Sequence, residues 1–349
     1  MNIHVTTADR LSEQLGLRTN GTTLSEARRN KFVMGETIRA AGIPAVKQLR
    51  SSVWEEISNW VYEWNPSPFK LIVKPLDSAG SDCVTLCTNI NEVKDSFINI
   101  MGKSNHLGLS NQAVLVQEYL EGTEYVIDAV SRDGEHKIVA IWEYDRRAVN
   151  GAPFVCFGQK LMTIDEDRAQ ELVAYQKRVL TALNIINGAS HGEVKWFKNE
   201  PLLIEVGARC HGAEGCWVSV ENKVYKYNQA QVNIDCYINP KAFAKIPEVP
   251  ILRHGYGSVL FIVVKTEGTF KEVNPKLLDE INNMSSCNYY EFFFKPGKYV
   301  SKTIDCFTWG GLATLYHENI DFLMKDYNRF REMENMSDFF IFDENSDSQ

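Results

Sequence analysis

Two carboxylates set the strongest chemical constraint in this chain. Glu193 begins Glu193-Val194-Lys195-Trp196-Phe197, and Glu205 lies in Leu202-Leu203-Ile204-Glu205-Val206. Both runs read as strands, and Lys198-Asn199-Glu200-Pro201 reads as the turn between them. If residues 198–200 form a three-residue loop, position 193 opposes 205. The carboxylates then share a face, about 5 Å apart at Cβ. Like charges so placed are destabilising unless a cation lies between them. Two carboxylates with open positions for phosphate oxygens suit Mg²⁺. Two exposed strand carboxylates are the alternative reading. Gly207, Ala208, Arg209, Cys210, His211 and Gly212 follow, a loop able to present Arg209 to a transferring phosphoryl group.

Two earlier segments carry related chemistry. Leu71-Ile72-Val73-Lys74-Pro75 is a buried strand ending in a lysine, followed by the small-residue loop Leu76-Asp77-Ser78-Ala79-Gly80-Ser81-Asp82. Backbone N–H groups of such a loop can surround phosphate oxygens, with the lysine adding charge. GxxxxGK[ST] is absent, so this is not a Walker A loop. An ordinary turn after an edge lysine remains open. Val114-Leu115-Val116-Gln117-Glu118 runs into Tyr119-Leu120-Glu121-Gly122-Thr123-Glu124. A connector of that kind can offer backbone groups to an adenine edge and a carboxylate to ribose hydroxyls. A hairpin with exposed carboxylates is the other reading. His191 shares a strand face with Glu193, as a substrate contact, a further ligand or a structural histidine. Cys210-His211 makes a poor nucleophile pair, because neighbours on one loop rarely point at each other and no orienting acid is evident.

The elements that must position these groups are legible in part. Residues 24–42 predict a helix with a cap at Ser25 and a stop at Gly42, and residues 166–184 and 317–335 predict two more. Strand runs include 125–131, 137–142 and 257–264, with Arg132-Asp133-Gly134 as a hairpin turn. Hairpins mixed with helices predict an α+β class with mainly antiparallel sheets. Asn239-Pro240, Pro247 and Pro250 suggest a boundary near 238–256.

Composition narrows the function classes. Of 349 residues, 44% are hydrophobic and 23% charged, an ordinary soluble balance. The net charge of −8 argues against general nucleic-acid binding. No run reaches the roughly 18 apolar residues that span a bilayer. The polar segment Met1–Asn20 has no signal-peptide centre, so a cytoplasmic location is expected. The eight cysteines include no CxxC, so reduced thiols are expected rather than a zinc site.

In order and spacing these segments resemble the ATP-grasp superfamily of carboxylate–amine ligases, from about Ser25 to Gly215 and more loosely through Pro296-Gly297-Lys298. The chain is most similar to the L-amino-acid (dipeptide) ligase branch. That branch often reads E-x-x-x-R-x-x-G after the second metal carboxylate, which here is Glu205 through Gly212. The resemblance implies an α+β ATP-grasp fold, with two α+β lobes whose antiparallel sheets clamp ATP and a C-terminal α+β lobe. It places a remnant N-terminal domain and linker helix at 1–68, the small lobe at 69–118, the large lobe at 119–245 and the C-terminal lobe at 246–349.

The same resemblance assigns roles. Lys31 matches the early phosphate-contacting lysine, and Lys74 the strand lysine reaching the α-phosphate. Gly80 and Ser81 match the phosphate-covering loop, Gln117 and Leu120 the adenine hinge, and Glu124 the ribose carboxylate. Glu193 and Glu205 match the Mg²⁺ (or Mn²⁺) ligands, and Arg209 the arginine that steadies the γ-phosphate. The implied activity is ATP-dependent amide or peptide bond formation through an acyl phosphate, on small-molecule carboxylate and amine substrates. A ligase of purine or carboxylation type and an inactive nucleotide-binding protein are the alternatives. A homodimer is compatible with this reading; membrane and nucleic-acid partners are not expected. Gly207 departs from the family, standing where many relatives carry an Asn ligand. Only what looks like the tail of the usual N-terminal domain, near Ala8-Asp9-Arg10-Leu11, precedes Lys31. The expectation is therefore a fragment or a protein without that lobe.

Overall fold

Leu71 and Val73 alternate with Ile72 and Lys74 along the strand Leu71–Pro75, so the two sets face opposite sides. Leu71 and Val73 enter a core with Val114 and Val116 of the strand Val114–Glu118, and with Ile57, Val61, Val93 and Phe97 of the helices Trp54–Trp64 and Ile90–Ile100. These strands belong to a four-stranded antiparallel sheet, with Gln48–Ser51 and Thr85–Cys87 at its edges. The helices bury one face, and the other face carries Lys74 and Gln117 toward the site.

The computed structural model describes residues 5–343 except 79, 81, 252 and 253. The chain divides into two compact units whose segments alternate along the sequence. One comprises Met1–Ile141, Thr163–Gly212 and Gln229–Pro250; the other comprises Trp142–Met162, Ala213–Asn228 and Ile251–Gln349. All the strand pairs given a register are antiparallel, which fits the expected α+β class.

Besides the four-stranded sheet, the first unit holds the strands Glu124–Arg132, Gly188–Phe197 and Glu200–Gly207, paired in that order. The helix Ala169–Ala182 covers one side of them. Gly192 lies against the side-chain amide of Gln176 on that helix, so a Cβ there would have to displace that amide. Glu193, one residue on, faces the opposite side. Asp133 (φ 52°) and Gly134 (φ 85°) form the two-residue turn expected between Arg132 and Glu135.

In the second unit, the strands Ala152–Leu161, Tyr256–Ile262, Gly311–His317 and Cys287–Phe292 form a sheet. The helices Pro275–Asn282 and Ile320–Met333 pack with it through Leu260, Ile262, Leu277, Ile281, Leu323 and Phe330. Arg147 lies in this unit and pairs with Asp145 at 2.7 Å.

The expected helix over 24–42 begins later than its pattern suggests. Residues 23–29 form turns, and the helix is Lys31–Ala40. Asn30 is the cap, its side chain accepting from the N–H groups of Phe32 and Val33. Ser25, the expected cap, instead donates to Asp9 Oδ2 at 2.5 Å. Asp9 also binds the guanidinium of Arg28 at 2.8 Å, and Arg28 is fully buried. Asp9→Ala would strand that charge, so a loss of about 3–5 kcal/mol is expected. Denaturant unfolding of the variant beside Asp9→Asn measures it.

Candidate active site

Glu193 does oppose Glu205, by a route the sequence did not suggest. The strands meet at Phe197 and Glu200, leaving Lys198 (φ 49°) and Asn199 (φ 66°) as a two-residue turn of the primed type. A shift of register between Glu193 and Val194 then adds one residue to the second strand and restores the pairing. The side chains of both carboxylates are about three-quarters buried, at 25% and 23% exposure.

The lysines arrive from two other elements. Lys31 opens the helix Lys31–Ala40, and its backbone N–H donates to the Leu76 carbonyl at 3.3 Å. Its Nζ donates to Glu205 Oε2 at 2.9 Å and to the Ser78 carbonyl at 2.7 Å. Lys74 is 5% exposed. Burial first, then the Lys31 ammonium, push its amine down to about 8, while Glu205, Glu193 and Glu124 pull the other way. Four of the expected site residues, Lys31, Glu205, Glu193 and Glu124, therefore act on the charge of a fifth, Lys74.

Phosphate oxygens beside Lys74 would favour its charged form. Below pH 8 the proton is already present; above it, nucleotide binding must take one up. ATP affinity is therefore expected to weaken by up to about tenfold per pH unit above pH 8. Lys74→Met should flatten that slope, which calorimetric titration at several pH values reads.

The loop after Lys74 is braced at its far end. Asp82 accepts from Ser78 Oγ at 2.6 Å and from the His106 N–H at 2.9 Å. Gly80, with φ 72°, sits in the turn between them, and Ser81 lies outside the described residues. On the connector side, the Gln117 amide N–H donates to Gln48 Oε1 at 2.8 Å. Leu120 packs against Val46 and Leu202, and its carbonyl accepts from Lys195 Nζ at 3.1 Å. Glu124 is buried and pairs with Lys195 in register. Arg209 donates to the Cys210 carbonyl at 2.8 Å and lies within charge range of His191 and His211.

Sequence reasoning passed over one buried cluster. Asp128 sits in the apolar strand Tyr125–Ser131, opposite His191, and is 0% exposed. His191 Nδ1 is 2.9 Å from Asp128 Oδ1, and His211 Nδ1 is 2.7 Å from Oδ2. His191 Nε2 reaches Glu193 Oε1 at 3.4 Å. Burial alone would raise the Asp128 carboxyl, but the two imidazoles outweigh it and hold it well below the ordinary carboxylate range. Burial opposes charge on both rings. For His191, Asp128 and Glu193 prevail and its pKa is raised; for His211 burial prevails and it is lowered. The available signal was a lone carboxylate inside an apolar strand, which requires a buried partner. This network directs His211 Nδ1 at Asp128.

The donor set fits a hard divalent cation. Two carboxylates face each other across a strand pair, and one already attracts an ammonium at 2.9 Å. A lysine from a helix start and a lysine from a sheet face thus share one charged neighbourhood with these carboxylates.

Residues 67–217 match the ATP-grasp domain model, and the fold is the ATP-grasp fold. The chain is 27% identical over 336 residues to dapdiamide A synthase of Enterobacter agglomerans, covering 95% of this chain and 77% of that protein. It is 28% identical over 247 residues to alanine–anticapsin ligase of Bacillus subtilis (strain 168), covering 64% of this chain and 49% of that one. The chain thus spans about half the length of the second relative and about three-quarters of the first. In fold it is similar to the L-amino acid ligase from Bacillus licheniformis, with a TM-score of 0.77, 16% identity, and coverage of 99% of this chain and 79% of that one. No helix among the described residues is long and apolar enough to cross a membrane.

Proposed function

We propose that this protein uses ATP to join the carboxylate of one amino acid to the amine of another through an acyl phosphate. The observation that carries this reading is the convergence of Lys31, Glu205, Glu193 and Glu124 on the charge of the buried Lys74. Such a set can hold a polyphosphate and balance its charge. The named ligases among the relatives support amino acids as substrates.

Glu193 and Glu205 would hold Mg²⁺ or Mn²⁺, which would supply charge neutralisation for the transferring phosphoryl group. Lys31 and Lys74 would bind and orient the phosphates, and Gly80 would cover them with its backbone N–H. Backbone groups at Gln117 and Leu120 would take the adenine edge, and Glu124 the ribose hydroxyls. A carboxylate oxygen of the first substrate attacks the γ-phosphorus in line and ADP leaves. Arg209 stabilises the charge on the transferring group. The amine of the second substrate then attacks the acyl carbon, loses a proton and expels phosphate. Most of the acceleration comes from positioning and charge.

Release of ADP and phosphate, screened over pairs of amino acids with mass detection of the product, tests this reading. Pair-dependent ADP release with a matching condensation product is expected. ATP binding with no ADP release over the panel would instead favour a nucleotide-binding protein without ligase activity.

A further inference from the structure

The buried network behind Glu193 ties together two parts of the site that the chain supplies from different elements. Asp128 comes from the strand Glu124–Arg132, His191 from Gly188–Phe197, and His211 from the loop after Glu200–Gly207. On a strand, residues 191 and 193 share a face, and Asp128 is the direct cross-strand partner of His191. His191 thus spans from Asp128 Oδ1 at 2.9 Å to Glu193 Oε1 at 3.4 Å. On its other oxygen Asp128 meets His211 at 2.7 Å, two residues beyond Arg209. The His211 N–H donates to Gln229 Oε1 at 2.7 Å, and the Gln229 amide in turn donates to the carbonyls of Ser190 and Ala129. The loop is therefore pinned to the same two strands at backbone and side chain.

Three ligand-type side chains lie close enough together to suggest a metal centre of their own. The distances argue otherwise. Each Asp128 oxygen is already occupied by a ring nitrogen at hydrogen-bond length, and one ring passes its other nitrogen to Glu193.

We propose that Asp128 is a positioning residue. Through His191 it fixes the Glu193 carboxylate for the divalent cation, and through His211 it fixes the loop that presents Arg209. This rests on the metal assignment made above for Glu193. Outer partners that orient a metal carboxylate typically change metal affinity or activity by about 10–100-fold.

The test uses the full chain and Mn²⁺ as probe, titrated by electron paramagnetic resonance in the presence of ADP, beside steady-state ADP release. His191→Asn keeps an amide near the Nδ1 position to bind Asp128 but gives up the contact to Glu193. It should weaken Mn²⁺ binding by about tenfold or more. At saturating metal its KM for ATP should stay near wild type. His211→Phe keeps a ring but loses the bond to Asp128. It should lower kcat by about tenfold or more and leave Mn²⁺ binding unchanged. Asp128→Asn, if it folds, should show both effects.

Wild-type Mn²⁺ binding in His191→Asn, or wild-type kcat in His211→Phe, would overturn the proposal. So would tightly bound zinc in the purified protein at one ion per chain, because it would occupy the three side chains differently. Glu193→Gln separates the two layers: if it still binds Mn²⁺ normally, the metal assignment fails, and the positioning role fails with it.

Discussion

Replacing Glu205 by alanine is expected to cut amide-forming turnover by about a thousandfold or more. A metal-held carboxylate supplies several kcal/mol of charge stabilisation in phosphoryl transfer, and about 4 kcal/mol corresponds to that factor. The position has a double role, because Glu205 also accepts from Lys31 at 2.9 Å. Its loss would release a lysine expected to face phosphate as well as a cation ligand. Glu205→Gln separates these effects: it keeps the shape and a hydrogen-bond acceptor for Lys31 while removing the charge the cation needs. ADP release at rising Mg²⁺ is the measurement, and the glutamine variant should respond to added metal more than the alanine variant. Full turnover by Glu205→Ala would remove the metal assignment.

Arg209→Lys is expected to lower kcat by about 10²–10³ while leaving KM for ATP within a few-fold, as when a donor aimed at transition-state charge is lost. Lysine keeps the charge, but its point-like ammonium does not reproduce the guanidinium fork. The Arg209 side chain already donates to the Cys210 carbonyl at 2.8 Å, and its loop is held by His211 and Gln229. A misplaced charge is therefore the main consequence of the substitution, rather than an unfolded loop. A variant that raises KM for ATP with kcat intact would move Arg209 out of the transferring-group role and into ground-state binding.

Much of this arrangement was legible in the chain. Leu71–Pro75 was readable as a buried strand ending in Lys74, and the structure places Leu71 and Val73 in the helix-covered core. The pairing of Glu193 with Glu205 was also readable, although the reasoning assumed a three-residue loop. The actual two-residue turn would have shifted the pairing by one had the strand not gained a residue between its partners. Turn length and bulge are set by the φ values of Lys198 and Asn199 and by packing across the sheet, neither of which a hydrophobic pattern encodes. The Ser25 cap failed for a related reason. Serine is a good cap in isolation, but Asp9 and Arg28 draw it into a buried polar cluster, and Asn30 caps the helix instead.

Asp128 and His211 illustrate a different limit. They are 83 residues apart and meet only once three strands and a loop are in place. Local spacing marked His191 as sharing a face with Glu193 but could not say which carboxylate held its other nitrogen. A buried charge inside Tyr125–Ser131 was the one clue, and it identifies the need for a partner rather than the partner itself.

The central claim is that a substrate carboxylate becomes an acyl phosphate at this site. Positional isotope transfer tests it most directly. An amino-acid substrate labelled with ¹⁸O in both carboxylate oxygens, turned over with ATP and its amine partner, should yield inorganic phosphate carrying one ¹⁸O, with the other retained in the amide carbonyl. Phosphate formed without label during amide synthesis, or label appearing in AMP, would contradict it.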